Sequence, residues 1–108
     1  MRILCGDIGG TNTRLALWEA GRLTAERTYA SGDWAGLEGP LGDWLASSGV
    51  RPDRACFAVA GPVVGQRSRT TNIPWVVDGP ALSGTLGCPV RVINDFHAAA
   101  RGVGLLGP

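Results

Sequence analysis

The sequence contains no lysine; all ten of its basic residues are arginine. That absence removes several chemistries. A Walker-type phosphate loop needs its Lys, a protein-kinase site needs a strand Lys, and a Schiff-base enzyme needs a free amine. Histidine is reduced to one residue, His97, and the three cysteines, Cys5, Cys56 and Cys88, form no CxxC pair. A zinc site is therefore not expected. A Ser-His-Asp triad can be drawn on paper, but no Gly-x-Ser-x-Gly elbow supports it, and His97 reads as a half-exposed helix residue. Two of the cysteines lie in apolar runs and read as small buried hydrophobes, a pattern that fits a reducing cytosol. With a net charge of +1 there is no field to gather nucleic acid or an anionic membrane. No run approaches the ~20 apolar residues of a membrane span. The opening Met-Arg-Ile-Leu-Cys-Gly-Asp holds too short an apolar run for a signal peptide. The expected location is cytoplasmic.

What is plentiful is glycine, with 17 residues in 108. The glycines have no period, which excludes collagen and simple linkers. A hydrophobic share of 44% against 18% charged residues describes a globular chain. Its length suits one domain with one core.

Residues 2–8 predict a buried strand that stops at Gly9-Gly10. Residues 13–19 and, after the turn at Ala20-Gly21, residues 22–30 predict two more strands. Connections this tight make the three antiparallel neighbours. Asp33 reads as the N-cap of a helix with Trp34, Leu37, Leu41, Trp44 and Leu45 on one face. Pro40 in a helix interior would cost ~3 kcal/mol, so a late start or a kink is expected. Gly49 and Pro52 close that segment. Residues 54–60 predict a strand buried on both faces. Residues 63–72 predict an extended segment, and Asp78 caps a short helix through 86. A strand over 89–93 then feeds a helix with Phe96, Ala99, Ala100 and Val103 on one face. The order predicts an α/β fold with a mixed sheet.

Three motifs carry chemistry. Gly6-Asp7-Ile8-Gly9-Gly10-Thr11-Asn12-Thr13-Arg14 lies between two strands. Paired glycines permit positive φ and let backbone N–H groups turn toward an anion. Thr11 and Asn12 add donors for phosphate oxygens. Asp7 at a strand end suits Mg²⁺, which prefers oxygen ligands and keeps waters. Arg14 could hold an anion or only a salt bridge. The same residues also suit an ordinary Gly-Gly hairpin with a surface Asp. The second motif, Val92-Ile93-Asn94-Asp95-Phe96, runs from a strand end into a helix start. Ligands in α/β folds favour such ends, and a carboxylate there can take a proton from a hydroxyl. Taken alone, Asn94-Asp95 reads more readily as a helix N-cap pair. The third comprises Ala60-Gly61-Pro62-Val63 and Thr71-Asn72-Ile73-Pro74-Trp75. The latter offers polar side chains and an aromatic plane, as sugar sites do. Each also reads as plain loop architecture.

In their order and spacing these segments together resemble the glucokinase family, within the superfamily of sugar kinases, actin and heat-shock chaperones. The resemblance implies a ribonuclease-H-like (actin-like ATPase) domain with its first three strands antiparallel. It implies ATP and Mg²⁺ as cofactors and glucose as substrate. Gly6, Asp7, Ile8, Gly9, Gly10, Thr11 and Asn12 would face the nucleotide, with Asp7 placing the metal. Asn94, Asp95, Thr71 and Asn72 would contact the sugar, and Asp95 would be the base for its 6-hydroxyl. It further implies that residues 1–108 form the small amino-terminal domain and that a larger carboxy-terminal domain is absent from this chain. The chain alone would then bind weakly and turn over negligibly, and a homodimer is expected only of the full-length form. Two other readings stand beside it: a kinase of another hexose from the repressor/open-reading-frame/kinase family, and a non-catalytic sugar- or nucleotide-binding domain derived from a kinase.

Overall fold

A computed structural model describes residues 1–70 and 73–94. Strand β1 (Ile3–Ile8) pairs antiparallel with β2 (Asn12–Glu19), which pairs antiparallel with β3 (Arg22–Ala30). On its other side β1 pairs in parallel with β4 (Arg54–Val59), and β4 pairs in parallel with β7 (Val90–Asn94). The sheet order is β3-β2-β1-β4-β7, the expected mixed sheet with three antiparallel strands first. A parallel neighbour demands a crossover, and each crossover here carries a helix.

Helices α1 (Glu38–Ser48) and α2 (Gly79–Leu86) pack against one face of the sheet. Their Leu41, Trp44, Leu82 and Leu86 join Leu4, Ile8, Leu15, Phe57 and Val92 in one buried cluster. The period-2 alternation of a strand sends Leu4, Gly6 and Ile8 toward this core and Ile3, Cys5 and Asp7 to the opposite face.

Two sequence expectations need correction. Asp33 does not cap α1; it lies in a 3₁₀ turn over Ser31–Asp33, and α1 begins at Glu38. The cause is Pro40. Without an N–H it fits in the first helical turn, where that donor has no intrahelical partner. The helix therefore starts two residues before it, and its first bond runs from Leu41 N–H to Leu37 O at 3.0 Å. Trp34 is consequently not on the helix; its ring stands edge-on to Tyr29 with centroids 5.9 Å apart. The second correction concerns residues 63–72, which are more than an extended segment. A turn with positive φ at Gly65 and Gln66 leads into β5 (Arg67–Arg69), which pairs antiparallel with β6 (Val76–Asp78). Gln66 fixes this ribbon beside the sheet. Its carbonyl accepts from Gly79 N–H and its side-chain Oε1 accepts from Val92 N–H, both at 2.8 Å.

The remaining boundaries follow their local signals. Asp78 caps α2 by accepting from Ala81 N–H at 3.1 Å, and Gly49 and Gly87 close the two helices at positive φ. Strand β4 is fully buried over Phe57–Val59, whereas Cys56 is half-buried and Arg54 exposed. All three cysteines are free.

Candidate active site

Ile8 pairs with Val59, and Val59 with Asn94, so one rung crosses the last residues of β1, β4 and β7. At ~4.8 Å between strands, Ile8 and Asn94 lie about 10 Å apart. These strands are parallel, so their carboxyl ends lie at the same edge of the sheet. The carboxyl edge of parallel strands is where α/β folds place ligands.

The segment after β1 is a tight hairpin. Gly9 N–H donates to Asn12 O at 2.9 Å, and a Cβ at Gly9 would stand 2.8 Å from that same oxygen. Neither Gly9 nor Gly10 is among the residues at positive φ. The positive φ that paired glycines permit is not used here: Gly9 is needed for close approach. Gly6 is needed for another reason. It sits within β1, and a Cβ there would run into the Phe57 ring.

Ser31 holds the hairpin from behind. Its hydroxyl donates to Gly9 O at 2.7 Å and lies 2.8 Å from Thr13 Oγ1, while its N–H donates to Thr11 O at 2.9 Å. Ser31 and Thr13 are both completely buried. Sequence reasoning missed Ser31, because Ser-Gly-Asp reads as a surface turn and its hydroxyl meets residues 22 and 18 positions earlier. The side chains of Thr11 and Asn12 are exposed.

Asp7 is half-buried on the sheet face opposite α1 and α2, one rung before Ile8. Its carboxylate has no hydrogen-bond or ion-pair partner among the described residues. Arg14 is its register partner on β2 but turns away, donating to Glu26 Oε1 from Nε at 3.2 Å and Nη2 at 3.0 Å. Of the two roles open to Arg14, the salt bridge is the one formed. A lone carboxylate with open coordination fits Mg²⁺, which is held by one or two carboxylates together with waters and phosphate oxygens. Among the described residues no group of three or more His, Cys, Asp or Glu could hold a metal by itself.

On the far side of the edge, Asn94 Nδ2 donates to Gly61 O at 2.8 Å. This bond ties the end of β7 to the turn that follows β4. Asp95, Thr71, Asn72 and His97 lie outside the described residues. Trp75 offers no open ring face for a sugar. It is 1% exposed, packed in the core, and its Nε1 donates to Trp34 O at 3.0 Å. Thr70 pins the same segment, its hydroxyl donating to Ile73 O at 2.7 Å.

The family model described as Glucokinase matches residues 4–108. The chain belongs to the glucokinase family. It is 41% identical over 108 residues to the glucokinase of Pectobacterium atrosepticum, covering 97% of this chain and 34% of that protein. It is 39% identical over 109 residues to the glucokinase of Trichormus variabilis, covering 94% of this chain and 32% of that protein. Among solved structures, glucokinase from an Antarctic psychrotroph superposes with a TM-score of 0.82 at 32% identity, covering 98% of this chain and 36% of that one. A ROK-family glucokinase from Streptomyces griseus, in complex with glucose and AMPPNP, superposes at 0.74 with 26% identity, covering 100% of this chain and 38% of that one. The actin-like ATPase fold of these sugar kinases is the fold of this chain. The chain spans about a third of the length of the curated relatives it matches.

Proposed function

We propose that this chain is the amino-terminal lobe of an ATP-dependent glucokinase that transfers the γ-phosphoryl group to the 6-hydroxyl of glucose. The observation that carries the reading is the shared rung of Ile8, Val59 and Asn94. It sets the Gly9–Asn12 hairpin and Asn94 at one sheet edge; in this reading the hairpin is the nucleotide side and Asn94 opens the sugar side. On the nucleotide side, the backbone of Gly9 and Gly10 and the side chains of Thr11 and Asn12 meet phosphate oxygens, with Gly6, Asp7 and Ile8 as the strand that presents them. Asp7 holds Mg²⁺, which supplies neutralisation of charge on the phosphates. On the sugar side, Asn94, Thr71 and Asn72 orient hydroxyls and Asp95 accepts the proton of the attacking one. Such general-base help is typically worth ~10²–10⁴-fold. In this reading the protein is cytoplasmic.

A cleft needs two walls to expel water, and this lobe is one of them. The 108 residues by themselves are expected to bind ATP and glucose weakly and to turn over negligibly. The test joins this chain to the large lobe of a glucokinase relative and measures glucose-dependent ADP release, with Asp95→Ala alongside. Phosphorylation that Asp95→Ala abolishes supports the reading. A chimera that folds and binds glucose without turnover overturns it in favour of a binding-only domain.

A further inference from the structure

Cys5 on β1 and Cys56 on β4 occupy one rung of a parallel pair. Their neighbours Leu4, Phe57 and Val59 point into the helix-covered core, so both thiols project from the opposite face. Each is free, and no described helix lies on that face. Cys5 is buried, its thiol donating weakly to Ile3 O at 3.7 Å, while Cys56 is half-buried. A cavity of about 340 Å³ reaches Cys56 between Arg54, Arg91 and Ile93.

The strand geometry decides what two such thiols can do. In a parallel pair the Cα–Cβ bonds on one rung run side by side, so the Cβ separation stays near the strand spacing of ~4.8 Å. Disulfides want Cβ atoms at roughly 3.5–4.5 Å, so direct closure would force the strands together. A single bridging ion spans the gap better. Two metal–sulfur bonds of ~2.3 Å hold their sulfurs about 4.6 Å apart when they lie opposite each other, a separation that side-by-side thiols on one rung can meet without moving the strands. Zinc would require further ligands, and the described residues offer none in reach. Two thiolates alone suit a soft monovalent ion such as Cu(I).

We propose that Cys5 and Cys56 form a two-coordinate thiolate site for a soft metal ion of the Cu(I) class, entered through the cavity beside Arg91. Binding exchanges two S–H bonds for two S–Cu bonds, with both protons released to solvent. The bis-thiolate complex carries one negative charge. Arg91, on the rung of Cys56 and without an ion pair among the described residues, is placed to compensate it. Burial raises both thiols, Cys5 the more strongly and with Cys56 adding to it, while the Arg91 guanidinium pulls Cys56 part of the way back. Since bound thiols must lose their protons, affinity rises with pH. The site lies midway along β1 and β4, on the same sheet face as Asp7 and two residues before it, and its occupancy does not depend on sugar phosphorylation.

The test titrates the reduced protein with Cu(I) against a chromogenic chelator, bicinchoninate, and compares Cys5→Ser, Cys56→Ser and Cys88→Ser. One ion withheld per chain is expected, with affinity lowered at least tenfold in the first two variants and unchanged in the third. X-ray absorption on the wild-type complex, which needs no variant to fold, is expected to show two sulfur neighbours. No ion withheld, equal retention in all three variants, or a three-coordinate spectrum would overturn the site. So would quantitative closure of a Cys5–Cys56 disulfide by diamide, because it would show the thiols closer than the ion requires.

Discussion

Gln66 Oε1 accepts the backbone N–H of Val92 at 2.8 Å across 26 residues of sequence. Strand β7 is the last of the sheet, and this bond gives one of its outward N–H groups a partner. The same residue's carbonyl takes Gly79 N–H, so one glutamine joins the β5–β6 ribbon, α2 and the strand that ends in Asn94. Gln66 does this from a left-handed backbone at φ 61°, a conformation that disfavours side chains other than glycine's.

Gln66→Ala keeps that backbone and removes the acceptor. An unpaired, part-buried N–H costs ~1–3 kcal/mol. The expected outcome is a loss of that order in urea unfolding, with faster amide exchange at Val92 than at its neighbours. Unchanged exchange at Val92 would mean that water replaces the side chain without cost.

Ser31→Ala tests the support of the candidate phosphate hairpin. The substitution leaves Gly9 O and Thr13 Oγ1 without their buried partner. A stability loss of ~1–3 kcal/mol is expected. Nucleotide affinity in the chimeric enzyme should fall, while glucose affinity, set on the other side of the edge, should hold. Equal loss of both would assign Ser31 to general stability.

Much of this was legible in the sequence, because most boundaries carry local signals. The apolar run of β1 stops at Gly9-Gly10, Asp78 and Gly87 bracket α2, and the tight turns force β1 to β3 into antiparallel order. What the sequence hid depends on contacts between distant residues. The Asp33 cap was a plausible local reading that Pro40 overrode. The β5–β6 ribbon has three-residue strands, too short for a period to show, and rests on Gln66 reaching Val92. At the candidate site the Gly-rich motif was visible, but Ser31 and the rung from Ile8 to Asn94 emerge only when β1, β4 and β7 lie side by side. Trp75 reads in sequence as an aromatic plane in a segment that suits loop architecture better than a site, and its burial shows it to be core.

Ser68 provides a substitution that should improve the fold. It is 3% exposed, and its hydroxyl is the one buried side-chain polar atom without a partner among the described residues. Leaving a hydroxyl unsatisfied costs ~1–3 kcal/mol, whereas losing one small atom leaves little cavity. Ser68→Ala is expected to match or exceed the wild type by up to ~1 kcal/mol. A loss of more than ~1 kcal/mol in the same unfolding assay would show that the hydroxyl is bonded in solution.

Tyr29 sets an alkaline limit on the fold. Burial, followed by its hydrogen bond to Asp43 Oδ2 at 2.7 Å, pushes its phenol up from 10.0 to about 12. Below pH ~10 the group is protonated in both folded and unfolded chains, and its contribution to stability is complete. Between pH 10 and 12 only the unfolded chain ionises, so stability falls as pH rises and the contribution is gone above the folded value. Tyr29 is the single tyrosine, so phenolate absorbance reports it alone. The native chain should titrate near pH 12, and the urea-unfolded chain near 10. Cys5, raised to about 12 by burial and then by Cys56, contributes in the same direction. The comparison with Tyr29→Phe separates the two: the variant should lose less stability than the wild type over this window. A native phenol titrating near 10 would show that burial and the Asp43 bond do not hold its proton.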